Sequence, residues 1–382
     1  MVYFMKKDKN LNKKKIIIIS ITAIAIILFA VVGTLYEKNI TIRNTLDKYL
    51  FLKEKHENNL PKIQINVDSG MSIYAYKNKI LTLENNLLTI YNHSGNKEDS
   101  LDVQISNPIF KSNGEYLCIA EKNGKRVYMI SGKNILWQKD LENDIVDLTV
   151  NENGYLALSL SGTIHKTIIQ AFDNKGTPLF RQFLSSTYVT DMDISPDNKY
   201  LAIAEVNLAG ILIQSNIKVI SIEKVTSEDE DSLVYTNSNQ NGDLIVKLKY
   251  ENKDTLVCIF DNHIETIKGN TNSVISDFKE EDVLFADTNN KIVKVIAQKS
   301  NTYLQIISPT SNSVKNYEID EPKEVYVSED VIALNLGSEV LFYNNSGWLL
   351  KKYYATQEID RIVLCNDLAG VVYNNKIELI SL

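Results

Sequence analysis

From residue 62 to the C-terminus the sequence repeats one unit: a short apolar run, a polar turn, and a second short apolar run. "DISPDNKYLAIA", residues 193–204, shows the unit most clearly, and "PIFKSNGEYLCIAE", "IVDLTVNENGYLALSL" and "EVYVSEDVIALNL" repeat it. The runs are five to eight residues long, rich in Val, Ile, Leu and Tyr, and none sustains a helical period for three turns. Such runs fold as strands, and the turns between them as hairpins. Aligning the second runs on Leu201 gives Leu81, Leu117, Leu156, Leu201, Leu256, Leu284, Ile332 and Ala369. The mean step is about 41 residues, the length of a four-stranded propeller blade. The fold class expected is therefore all-β, a β-propeller of seven or eight four-stranded blades, with eight preferred. The steps of 55 before Leu256 and 28 after it make the fifth unit irregular.

A second periodic feature follows the third run of several units. "IYNHSGNK", "MISGKNILWQ", "FDNKGTPLFRQ" and "FYNNSGWLLKKY" place Gly95, Gly132, Gly176 and Gly347 in tight turns ahead of a fourth run. Hairpin turns need positive φ, which glycine adopts freely. In the opening unit, Pro196 presets φ for the turn between first and second strands, and Asp197 and Asn198 suit the later positions of that turn. The last unit stops at "KIELISL", its third strand, and "KIQINV", residues 62–67, precedes the first unit without a partner. Pairing these two would close the ring and remove two open sheet edges.

These motifs carry a resemblance. "DISPDNKYLAIA" resembles the SPDG-x-x-LA strand-turn-strand of WD40-like and Tol-type propellers. "FDNKGTPLF" and "ISGKNILW" resemble the turn of quinoprotein-like repeats. The layout as a whole resembles membrane-anchored WD40-like or quinoprotein-like propellers of Gram-positive bacteria, over roughly residues 63–382. Asn198 stands where that pattern has glycine, and the Gly-His and Trp-Asp pair of WD40 repeats is missing. A quinone site, which the quinoprotein likeness would imply, needs a Trp floor. Trp137 and Trp348 both fall in outer turn motifs, so no quinone is expected.

The N-terminus reads differently. Residues 16–36, "IIIISITAIAIILFAVVGTLY", carry no charge. A helix of that length, at about 1.5 Å per residue, crosses a hydrocarbon core of about 30 Å. The run is longer than a signal-peptide core, and Tyr36-Glu37-Lys38 offers no Ala-x-Ala site, so an uncleaved signal-anchor is expected. Lys6, Lys7, Lys9, Lys13, Lys14 and Lys15 precede it, which keeps residues 1–15 cytoplasmic and exports the rest. Residues 37–61 carry Ile42, Leu46 and Leu50 at four-residue spacing, a short amphipathic helix that serves as a stalk and ends near Pro61. Residues 62–382 form the propeller.

Chemistry is sparse. The net charge of −7 and the absence of a basic cluster beyond the tail argue against nucleic-acid partners. Cys118, Cys258 and Cys365 are far apart on strand-like runs, so they are read as small buried hydrophobes rather than a disulfide or metal framework. His56, His93, His165 and His263 are isolated, Ser215 to Lys218 fits S-x-x-K on a strand by chance, and Glu228 to Asp231 is a solvated loop without calcium-ligand spacing. "EKNGKR", residues 121–126, is a hairpin turn rather than a phosphate loop. No catalytic, cofactor-binding or metal-ligating residue is assigned. The function expected is a non-enzymatic extracytoplasmic binding module or scaffold for protein or cell-envelope polymer. The alternative is a glycan-active enzyme whose carboxylates converge at the channel mouth.

Overall fold

The computed structural model describes residues 22, 26, 30–34, 60–65, 70–211, 213–227, 232–239 and 242–382. Among them the chain forms eight four-stranded antiparallel sheets. Blades 1 to 7 span 72–102, 108–140, 145–184, 188–239, 245–277, 282–319 and 324–354; blade 8 takes 361–381 together with 62–64. Within blades 1 to 7 the strands pair in chain order, and in blade 8 Lys62–Gln64 takes the outer place. The first strands of neighbouring blades contact one another around the ring, blade 8 against blade 1 included. Each first strand is therefore innermost and walls a central channel.

The ring closes between the two ends of the propeller sequence. The strand Lys62–Gln64 supplies the outer strand of blade 8, with Lys62 opposite Glu378, Ile63 opposite Ile377 and Gln64 opposite Lys376. Ile63 is buried, and Lys62 Nζ lies 3.2 Å from the Glu378 carboxylate. Residues 66–67 of "KIQINV" lie outside the described residues.

The core lies between blades. Eight apolar clusters form among the described residues, and each is shared by two neighbouring blades. Both faces of a blade are thus covered, which explains why the second runs are continuously apolar rather than alternating. Side chains still alternate in direction along a strand. In blade 4, Leu201 and Ile203 pack against blade 3, while Ala202 and Ala204 pack toward blade 5. In blade 2, Leu117 and Ile119 face blade 1, while Cys118 and Ala120 face blade 3. In both blades the larger residues face the preceding blade and the smaller ones the next.

The turns follow the expected layout with local differences. Gly95, Gly132, Gly176 and Gly347 all have positive φ between third and fourth strands. Only Gly132 sits in a two-residue hairpin; the other three follow an Asn or Asp whose Oδ1 accepts two backbone N–H groups from the same turn, as at Asn92, Asp173 and Asn344. The sixth unit needs correction. Leu284 lies on the first strand of blade 6, Asp282–Asn289, and the second strand is Lys291–Gln298. "VISDFKEEDVLFAD" is not a hairpin: its first run ends blade 5, a 3-10 turn over Phe278–Glu280 follows, and its second run begins blade 6. With Ile292 as the equivalent residue the short step disappears. The long step of blade 4 is real and includes a short helix, Ile222–Thr226, between its third and fourth strands.

The basic tail, residues 37–59 of the stalk and most of residues 16–36 lie outside the described residues; 22, 26 and 30–34 have helical backbone. Among the described residues no helix is long and apolar enough to cross a membrane.

Candidate functional site: the central channel

Strand order fixes two ends to the channel. The turn face carries the first-to-second and third-to-fourth turns; the crossover face carries the second-to-third turns and the connections between blades. First strands of six to eight residues hold the walls in most blades. In blades 3 to 6 the register of the first strand shifts near its start, before Asp147, Asp191, Lys247 and Phe285. Such a bulge re-aims the side chain beyond it.

The channel holds a cavity of about 540 Å³ walled by Tyr74, Lys111, Ser112, Thr149, Asp191, Asp193, Lys247, Lys249, Thr288, Glu329 and Cys365, among others. Toward the turn face it opens into a mouth lined by Asn113, Asn151, Glu152, Asn289, Asn290 and Glu329. The polar groups bind across blades. Asp191 accepts the backbone N–H of Leu248 at 2.7 Å, and buried Asp193 accepts that of Tyr250 at 2.7 Å. Lys249 Nζ donates to Asp193 Oδ1 at 3.1 Å, and Thr149 Oγ1 donates to the same oxygen at 3.3 Å. Asp193 thereby ties blades 3, 4 and 5 together. Lys247 pairs with Asp287 of blade 6, and Tyr74 stacks on Phe110 with its hydroxyl 3.2 Å from Ser112 Oγ.

Burial sets the ionisation here. Desolvation pushes the Asp191 carboxyl up to about 6, against the opposing pull of the Leu248 N–H and Lys111. Burial alone would lower the Lys249 ammonium, but Asp193 beside it, with Asp191 and Glu329 nearby, holds it above its ordinary value. Burial raises the Tyr74 phenol. The two aspartates are the carboxylates nearest to an acid–base pair in the channel. Both accept backbone N–H groups of blade 5, so they act as a fixed wall of acceptors.

The other residues of chemical interest lie elsewhere. Trp137 is on the outer strand of blade 2 against Phe172, and Trp348 is exposed in a turn of blade 7. Cys118 and Cys258 are buried, whereas Cys365 differs from the expectation: it is half-buried at the end of an innermost strand, and burial pushes its thiol up to about 11. His165 is beside Ser185, His263 stacks on Phe260, and His93 is exposed in a turn. Ser215 accepts the N–H of Ile245 and Lys218 pairs with Glu205, both on the third strand of blade 4. Residues 121–126 do form a hairpin turn. His56 and residues 228–231 lie outside the described residues. Sequence reading misses the wall of the channel, although a trace is visible: "DMDI" and "VKLKY" put carboxylates and ammonium groups on alternate residues of adjacent first runs.

Comparison with solved structures returns propellers at low identity. A structure described as the eukaryotic initiation factor aligns with a TM-score of 0.52 at 14% identity, covering 86% of this chain and 87% of that one. Sqt1 from Chaetomium thermophilum aligns with a TM-score of 0.50 at 11% identity, covering 86% and 97%. These likenesses bear on the fold alone. No curated protein matches the chain. The profile of a family of unknown function, DUF5711, matches residues 53–382, and the chain belongs to that family.

Proposed function

We propose that this chain is a membrane-held, non-enzymatic binding module whose propeller takes a protein or cell-envelope polymer at the turn-face mouth of its channel. The observation that carries the reading is the wall of polar groups fixed between blades. Asp191, Asp193 and Lys249 are held by neighbouring strands before any ligand arrives, so a partner meets preset donors and acceptors at little ordering cost. A cavity of about 540 Å³ suits a side chain, a chain terminus or a sugar unit of a larger partner. Anchoring rests on the uncharged run of residues 16–36, and the lysines ahead of it favour a cytoplasmic N-terminus and an extracytoplasmic propeller.

One observation favours a second reading. Asp191, with its pKa near 6, and Asp193 lie two residues apart on one strand, which suits proton transfer in a glycan-active enzyme. A single experiment separates the two. The tagged chain is crosslinked in cells and its partners identified, and the purified chain is incubated with the same partners and with envelope glycans. Specific capture without turnover supports the binding module; turnover abolished by Asp191→Asn or Asp193→Asn overturns it. Topology is tested on intact protoplasts, where external protease should cut the propeller and spare an N-terminal tag. Protection of a C-terminal tag with cutting of the N-terminal one would overturn the orientation, and a mature form lacking residues 1–36 would overturn the anchor.

A further inference from the structure

On the crossover face, blades 3 and 4 raise a ridge of apolar side chains into solvent. The loop joining the second and third strands of blade 4 exposes Leu208 at 55%, Ile211 at 104% and Ile213 at 41%. The corresponding loop of blade 3 exposes Ile164 at 88%. Between them stand Phe183 and Tyr188, also exposed. The parts are adjacent. His165 lies against the Phe183 ring at 4.9 Å, Lys166 Nζ sits 5.6 Å from the centre of the Tyr188 ring, and Tyr188 pairs with Val206 at the root of the blade 4 loop.

We infer that this ridge is a second membrane contact, which inserts into the lipid surface beside the anchoring segment. The inference rests on the anchor reading of residues 16–36. Three observations select lipid as the occupant. Its tip residues Ile211 and Ile164 are almost wholly exposed, and a lipid surface receives such side chains without a shaped groove. Its composition, an aliphatic tip with a Tyr and a Lys at its flank, is that of a membrane-interface element. The chain length also permits it. The anchor run ends at residue 36 and the first strand begins at Lys62 on the turn face, where Gly95 approaches its carbonyl. The intervening 25 residues reach about 38 Å as a helix and about 85 Å extended. Strands of six to eight residues make the ring about 20–27 Å tall. The chain can therefore pass from a membrane at the crossover face to its entry on the turn face. That placement leaves the channel mouth pointing away from the bilayer, open to the envelope.

The test uses the full chain reconstituted into phospholipid vesicles. An environment-sensitive fluorophore is placed on Ile211→Cys and, as a control on the turn face, on Lys175→Cys, both carrying Cys365→Ser because that thiol is only half-buried; the Cys365→Ser chain, with Cys118 and Cys258 buried, sets the labelling background. The inference predicts a blue shift and several-fold stronger quenching by lipid-borne quenchers at position 211 than at 175. Leu208→Asp placed in the labelled protein should abolish the difference. Alkaline extraction reads the anchor separately. A retained chain with a water-exposed label at 211, including one whose label shifts only when envelope proteins are added, overturns the ridge inference alone. An extracted chain overturns the anchor and the inference with it.

Discussion

Asn198 shows how one residue can serve both a turn and its neighbour. It adopts φ of 63°, where glycine is the easier choice, and its Oδ1 accepts from Asn151 at 2.6 Å and from Asn153 at 3.1 Å in the next turn of the ring. The departure from the glycine of the repeats it resembles is thus a link between blades 3 and 4. Asn198→Ala should lose both the tolerance of positive φ and the link, lowering stability by about 2–3 kcal/mol. Asn198→Gly keeps the first and loses only the second, so it should cost about 1 kcal/mol; denaturant unfolding of both variants checks the order. Two acids make opposite contributions to pH dependence. Asp191 is raised to about 6, so its charged form opposes folding and stability rises as pH falls through that value. Glu378 is buried, which alone would raise it, but Lys376, Tyr353 and Lys62 hold it below its ordinary 4.5. Its contribution is present above that value and is lost as pH falls through the folded pKa. Unfolding midpoints measured from pH 4 to 8 should therefore show the advantage of Asp191→Asn growing with pH. Glu378→Gln should be costly throughout the neutral range, its cost beginning to shrink only at the acid end, below pH 4.5.

At the scale of the element, legibility follows burial. The second strands are readable because both faces are covered and the runs are continuously apolar, as at Leu201 to Val206. The first strand of blade 6 passes for a second strand because Val283 to Ala286 is continuously apolar although Leu284 is exposed, and a 3-10 turn replaces a clear break ahead of it. The channel wall is hard to see because it draws a few residues from each blade, and no local spacing records which first-strand residues converge. The interface between blades 5 and 6 is the thinnest, with five buried apolar residues against eight to thirteen at the others. Lys294 is buried there, paired with Glu281 and donating to Ser276 at 2.8 Å. Replacing both members of a buried pair by apolar side chains of similar volume is often neutral or stabilising, so Lys294→Met combined with Glu281→Met should hold or raise the melting temperature. Lys294→Ala should lower it, by about 3 kcal/mol in stability. Hydrogen exchange should find the first strand of blade 6, Asp282–Asn289, opening before any other first strand; earlier exchange elsewhere would place the weak seam at another interface.

For the whole molecule, closure and the proposed site are linked, because the channel wall exists only in a complete ring. The strand Lys62–Gln64 joins ends more than 300 residues apart and buries Ile63 between blades 8 and 1. Ile63→Asp should therefore lower the melting temperature sharply or cause aggregation through the exposed edge, while an unchanged melting curve would mean that this strand does not hold the ring. The central claim, that the turn-face mouth is where a partner is held, is tested most directly by photo-crosslinking in cells. A photoreactive residue placed at Asn113 or Asn289, which line the mouth, is compared with one at Lys315 on the outer strand of blade 6. The account predicts one specific set of adducts from both mouth positions and none of that set from Lys315. The same adducts from all three positions, or none from the mouth, would contradict it.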